Sequence, residues 1–131
     1  MTEEKILKQT DHSFFSVKFL SVGIIHVNIK GIDEINIDNA KEIISSIGEY
    51  CQDKKRPVLV SSDSFAAPTP EARNYLAKAE SNPYSLAAAY LTKTLAEKLL
   101  TNAFIHFNKP ARPTRMFTSE TKATEWLKTF L

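Results

Sequence analysis

Residues Pro57 to Leu76, PVLVSSDSFAAPTPEARNYL, constrain the fold more than any other stretch of the chain. Val58-Leu59-Val60 is short and wholly apolar, the pattern of a strand buried on both faces of a parallel sheet. Thr69-Pro70-Glu71 then places a threonine to accept from free helix N–H groups, a proline at the first helical position and an acid in the first turn. That is a strong helix start. A buried strand running through a polar loop into a helix is the junction at which α/β proteins present ligands and partners.

The flanking sequence extends the same logic. Phe15, Val17 and Phe19 alternate with Ser16 and Lys18, and Ile25, Val27 and Ile29 alternate with His26, Asn28 and Lys30. Two alternating runs around Ser21-Val22-Gly23 predict a β-hairpin. Asp38 serves as a helix N-cap ahead of Ala40, Ile43, Ile44, Ile47 and Cys51, one apolar stripe at helical spacing. Asp53-Lys54-Lys55-Arg56 and Pro57 end that helix. The second helix buries Ala72, Tyr75, Leu76 and Ala79 and stops at Asn82-Pro83.

Ser85 to Leu91 fits a buried strand of small residues. A third helix over Lys93 to Phe107 is expected to bury Leu95, Ala96, Leu99, Ala103, Phe104 and Phe107. Lys109 to Pro113 is a stiff connector, because each proline fixes its own φ. Thr114 to Phe117 forms the last strand, and Thr118 or Ser119 caps a final helix with Ala123, Trp126, Leu127, Phe130 and Leu131 on one face.

The expected order is ββαβαβαβα: an α/β domain with a mixed, mostly parallel five-stranded sheet and helices mainly on one face. Residues 1–13 read as a loosely held lead-in and 14–131 as a single domain.

Composition excludes several function classes. A net charge of +2, with cations interleaved among acids, gives no concentrated basic face for nucleic acid. No apolar run approaches a membrane span, and the polar, acidic start is unlike a secretory signal, so a cytoplasmic protein is expected. One cysteine, Cys51, allows no intrachain disulfide, and three glycines cannot build a phosphate-binding loop. His12, His26 and His106 lie at no metal-ligand spacing, and no serine sits in a nucleophile-elbow pattern. No cofactor, metal or catalytic residue is therefore assigned, and enzyme activity is not expected.

A resemblance adds to this reading. Gly23-Ile24-Ile25-His26-Val27, Val58-Leu59-Val60, Pro70-Glu71-Ala72-Arg73-Asn74-Tyr75, Phe107-Asn108-Lys109-Pro110, Pro113-Thr114, Phe117-Thr118-Ser119, Ala123 and Trp126-Leu127 carry it. Over residues 14–131 the chain resembles the STAS-like and CRAL-TRIO-like superfamily, whose members include bacterial anti-sigma-factor antagonists. Within it the chain is most similar to small bacterial single-domain proteins of unassigned function. The resemblance implies a one-handed βα superhelix and no reaction. Antagonists of that superfamily carry a phosphorylatable serine beside an aspartate at the start of the helix that follows the matching strand. Asp63-Ser64 repeats the pair, but Phe65-Ala66-Ala67-Pro68 replaces the small residues and glycine expected next, which argues against such a switch.

Two surfaces follow as candidates. Ser61, Ser62, Asp63, Ser64, Phe65, Thr69 and Glu71 form a polar junction able to dock a partner or an anion, though Thr69 also suffices as a plain N-cap and the serines as loop polarity. Lys109, Arg112 and Arg115 could form a basic patch, or simply be solvated loop charges. The first function reading is a non-enzymatic regulatory or interaction domain binding a protein or a second copy of itself. The alternative, which the CRAL-TRIO resemblance implies, is a carrier of a small amphipathic or lipid ligand; a third reading, behind both, is a hydrolase, which would need a site that no motif here marks.

Overall fold

The computed structural model describes residues 5–131. The strands are β1 (Ile6–Asp11), β2 (Phe15–Leu20), β3 (Ile25–Ile29), β4 (Glu34–Ile35), β5 (Arg56–Ser62), β6 (Ala67–Pro68), β7 (Ser85–Leu91) and β8 (Thr114–Phe117). The helices are α1 (Ile37–Tyr50), α2 (Pro70–Ala77), α3 (Leu95–Ala103) and α4 (Glu120–Lys128), and α3 runs directly into a π-helical turn at Phe104–Asn108.

The main sheet has six strands in the order β1-β2-β3-β5-β7-β8, antiparallel through β3 and parallel beyond it. Five were expected. The sixth is β1, which pairs with β2 at the sheet edge and exposes nearly all of its side chains. Ile6 to Asp11 thus belongs to the sheet and not to a loose lead-in, while residues 1–4 of that segment lie outside the described residues. β4 and β6 form a separate two-stranded ladder.

Because each parallel strand lies beside its predecessor, successive right-handed crossovers carry their helices to one face. Ile43, Ile44 and Ile47 of α1, Leu76 of α2 and Leu100 of α3 accordingly meet around Val27, Val58 and Val60. Among the described residues α4 alone covers the other face, where Ala123 and Leu127 pack with Leu20, Ile24, Leu59, Ala87 and Ala89. The alanines of β7 let that helix come close to the sheet.

Each helix begins at a side-chain cap. Asn36, not Asp38, caps α1: its side chain accepts from Asn39 N–H while the Asn39 side chain accepts from Asn36 N–H. Asp38 falls instead in the first turn, where its charge suits the helix dipole. Thr69 caps α2, Thr94 caps α3 and Ser119 caps α4. α2 ends at Ala77, which is buried, so Ala79 lies past the helix and is exposed. Gly48, in the last turn of α1, gives room to Tyr84: a Cβ there would sit 2.7 Å from its ring.

Candidate functional site

The C-terminal end of β5 divides between the two faces of the sheet, as the period-two pleat requires. Ser61 points to the α4 face. Its hydroxyl lies 2.7 Å from His26 Nε2 and 2.7 Å from Asn28 Oδ1, and Asn28 Nδ2 donates to Asp63 Oδ1 at 3.0 Å. The last bond fixes the Asn28 amide, so Oδ1 faces Ser61 and takes its single hydroxyl proton. His26 Nε2 must then carry hydrogen and donate to Ser61. The chain runs His26 to Ser61 to Asn28 to Asp63, with the serine proton directed at an amide oxygen and not at the imidazole. Burial holds His26 below its ordinary value; Glu120 opposes that shift and Lys18 adds to it.

Ser62 points the other way. Its hydroxyl donates to Glu97 Oε2 at 3.3 Å, and Lys93 Nζ donates to the Ser62 carbonyl at 3.0 Å. Glu97 Oε1 also accepts from the backbone N–H of Lys93 and Thr94 while Thr94 Oγ1 accepts from Glu97 N–H. This reciprocal cap ties the start of α3 to the end of β5.

It also orients α3. Glu97 is the buried residue of this helix, at 8% exposure. Leu100, Thr101 and the buried Phe104 follow it at i+3, i+4 and i+7, so that stripe faces the sheet. The other apolar stripe, expected in the core, is turned to solvent: Leu95 is 72% exposed, Leu99 63% and Phe107 77%, with Ala96 exposed beside them. In a continuous α-helix Phe107 would fall about 80° around the axis from Leu99. The π turn inserts an extra residue and swings Phe107 back toward the line of Leu95 and Leu99. Asn108 Nδ2 donates to Asn74 Oδ1 at 2.9 Å, pinning the end of that turn to α2, and Lys109 closes it in a left-handed conformation.

Between α3 and the sheet lies a cavity of about 140 Å³. Val58, Val60, Ile44, Ile47, Leu100 and Phe104 supply apolar wall, and Tyr90 and Glu97 supply polar groups. Its lining reaches the surface at Phe65, which is 41% exposed. Burial raises the Tyr90 phenol above its ordinary value, and Arg112 counteracts that in part.

The polar junction expected at Ser61, Ser62, Asp63, Ser64, Phe65, Thr69 and Glu71 is therefore not one surface. Ser61 and Asp63 are engaged on the α4 face, Ser62 is bonded to α3, and Thr69 caps α2 by accepting from Ala72 N–H. Ser64, Phe65 and Glu71 remain exposed. The basic residues also diverge. Arg112 donates to the carbonyls of Leu76, Lys78 and Asn82, holding the end of α2 and the loop after it. Arg115 lies over the rings of Phe117 and Trp126 on the α4 side, and Lys109 stands exposed beyond the π turn. Cys51 is buried, which pushes its thiol up to about 11 and leaves it neutral near pH 7.

Comparison with known proteins gives the family and the fold class. The chain belongs to a family described as a domain of unknown function (DUF7793), matched over residues 19–131. Its fold is SpoIIAA-like, within the STAS-like class. It is similar to an uncharacterized protein of the DUF3478 family with a SpoIIAA-like fold from Shewanella loihica PV-4, at TM-score 0.54 and 10% identity over 97% of each chain. It is also similar to apo-SiaC from Pseudomonas aeruginosa, at TM-score 0.45 and 9% identity, covering 88% of this chain and 98% of that one. No curated protein matches. Among the described residues no helix is long and apolar enough to cross a membrane.

Proposed function

We propose that this chain is a non-enzymatic interaction module that binds a protein partner through α3, the π turn and the adjoining Phe65 loop. The observation that carries this reading is the outward apolar stripe of Leu95, Leu99 and Phe107. Isolated exposed leucines are ordinary, but a helix that buries a glutamate and presents Leu95 and Leu99 to water in line with Phe107 marks an interaction surface. Fully burying one such side chain contributes about 1.5–3 kcal/mol. Three together can offset part of the entropy lost on association, which suits a regulatory contact of modest affinity. The direction of the Ser61 proton supports the non-enzymatic half of the reading, because no base is set to receive it.

A photo-crosslinking residue at Leu99 tests the proposal in the native cell. The expected result is capture of one defined protein, lost when Leu95→Asp is added and absent when the probe stands at Glu125 on α4. Equal capture from both positions would contradict it.

The cavity favours a second reading, carriage of a small ligand. At about 140 Å³ it matches cavities that hold a molecule the size of benzene, and it is far too small for an acyl chain. A small amphipathic molecule with a hydroxyl or amine facing Glu97 would fit. Native mass spectrometry after gentle isolation tests this reading, and a clean mass of the chain alone counts against it.

A further inference from the structure

Building on the partner reading above, we infer that the occupant of the outer α3 face is an acidic amphipathic helix. Charge carries this step. From Lys93 to Lys109 the sequence holds three lysines, Lys93, Lys98 and Lys109, and a single acid, Glu97. That acid is buried and held by the Lys93 and Thr94 N–H groups and the Ser62 hydroxyl. The exposed apolar stripe thus has Lys98 on its own helix and the exposed Lys109 past its end, while Lys93 directs its ammonium to the Ser62 carbonyl, and no exposed acid lies between Lys93 and Lys109. The neighbouring acids lie elsewhere: Asp63 is bonded to Asn28 on the α4 side, and Glu71 stands at the first turn of α2. A second copy would set Lys98 and Lys109 against their own copies, so a self-complementary dimer through this face is disfavoured.

Length points the same way. Leu95 to Phe107 spans about 18 Å, three turns of a partner helix carrying anchors at i, i+4 and i+7.

The test uses the full chain and dye-labelled helical peptides of about 16 residues, read by fluorescence anisotropy. One peptide carries leucines on one face and glutamates elsewhere; in two controls lysine or glutamine replaces glutamate. The acidic peptide is expected to bind at least about tenfold tighter than the glutamine peptide, the lysine peptide not at all, and the affinity to fall as salt rises. Lys98→Glu should weaken binding about threefold or more, and Leu99→Asp more than about tenfold. Leu99→Ser, with its fold checked by circular dichroism, keeps the test valid if the aspartate variant does not fold.

Equal binding of all three peptides would overturn the acidic assignment. If no peptide binds while the Leu99 crosslink still captures a protein, the helix chemistry fails and the partner reading stands. If both are lost, both fail. Leu99-dependent sedimentation with phosphatidylglycerol vesicles would overturn the inference in favour of a membrane surface. Concentration-dependent dimerisation abolished by Leu99→Asp would overturn it in favour of a second copy.

Discussion

Helices α1 and α3 sit on the same face of the same sheet, each opened by a reciprocal side-chain cap, yet they put their apolar residues in opposite places. α1 buries Ala40, Ile43, Ile44 and Ile47. α3 buries Glu97 and turns Leu95 and Leu99 outward. Periodicity shows that an apolar stripe exists; it does not show which way the stripe faces. In α3 the direction is set by the Thr94–Glu97 cap and the Ser62 contact, which pull one edge of the helix onto β5. The contrast separates what the fold requires from what it leaves for a partner.

The sharpest way to break the contrast is to truncate α1. Ile44→Ala should cost about 2–5 kcal/mol in urea unfolding, because it removes a buried side chain and enlarges the cavity that Ile44 already walls. A loss under about 1 kcal/mol would show that α1 is as loosely seated as the outer side of α3. Next comes Glu97→Ala. Removing the carboxylate strips two backbone N–H groups and the Ser62 hydroxyl of their acceptor and should cost about 1–3 kcal/mol. Glu97→Gln, which keeps an acceptor, should retain most of that. Equal losses for the two would mean that the cap does not orient the helix.

Gly48→Ala sets two terms against each other. Alanine favours the helix by about 1 kcal/mol, but its Cβ would meet the Tyr84 ring 2.7 Å away. Overpacking of that kind costs about 1–3 kcal/mol, so a net loss of up to about 2 kcal/mol is expected. The smallest effect concerns the opposite face. The folded protein holds His26 below its ordinary 6.5, so below that pH the unfolded chain binds more protons than the folded one. The stability this group contributes above 6.5 is therefore lost as pH falls. Thermal melts from pH 7.5 to 5.5 should show a shallower fall for His26→Gln than for the native chain; an unchanged slope would show that another group titrates.

Much of the architecture was legible in the residues. The β2–β3 hairpin, the apolar β5, the Thr69-Pro70-Glu71 start of α2 and the alanine-rich β7 each carried a local pattern that tertiary structure left intact. β1 was missed because Ile6 to Asp11 is an edge strand exposed on both sides, so it has no buried face to produce alternation. β4 and β6, at two residues each, are too short to carry any period. Asp38 and Asn36 are both good caps, and only the Asn39 side chain reaching back to Asn36 selects between them.

The candidate site was half visible. Ser61 and Ser62 were read as one surface, although strand alternation alone sends them to opposite faces. The partners that engage them, Asn28 and Glu97, lie more than thirty residues away in sequence. Leu95, Leu99 and Phe107 were assigned to the core on hydrophobicity. The signal against that was Glu97 at N3 of a Thr94 cap, together with the absence of any other acid between Lys93 and Lys109.

The central claim is that the outer stripe of α3 serves a partner and not the fold. Equilibrium urea unfolding of the double variant Leu95→Ser, Leu99→Ser tests it most directly. Surface substitutions away from packing usually fall within about 0.5 kcal/mol each, so the pair should change stability by no more than about 1 kcal/mol. A loss of about 4 kcal/mol or more, as two buried leucines would give, would place that stripe in the core and contradict the account.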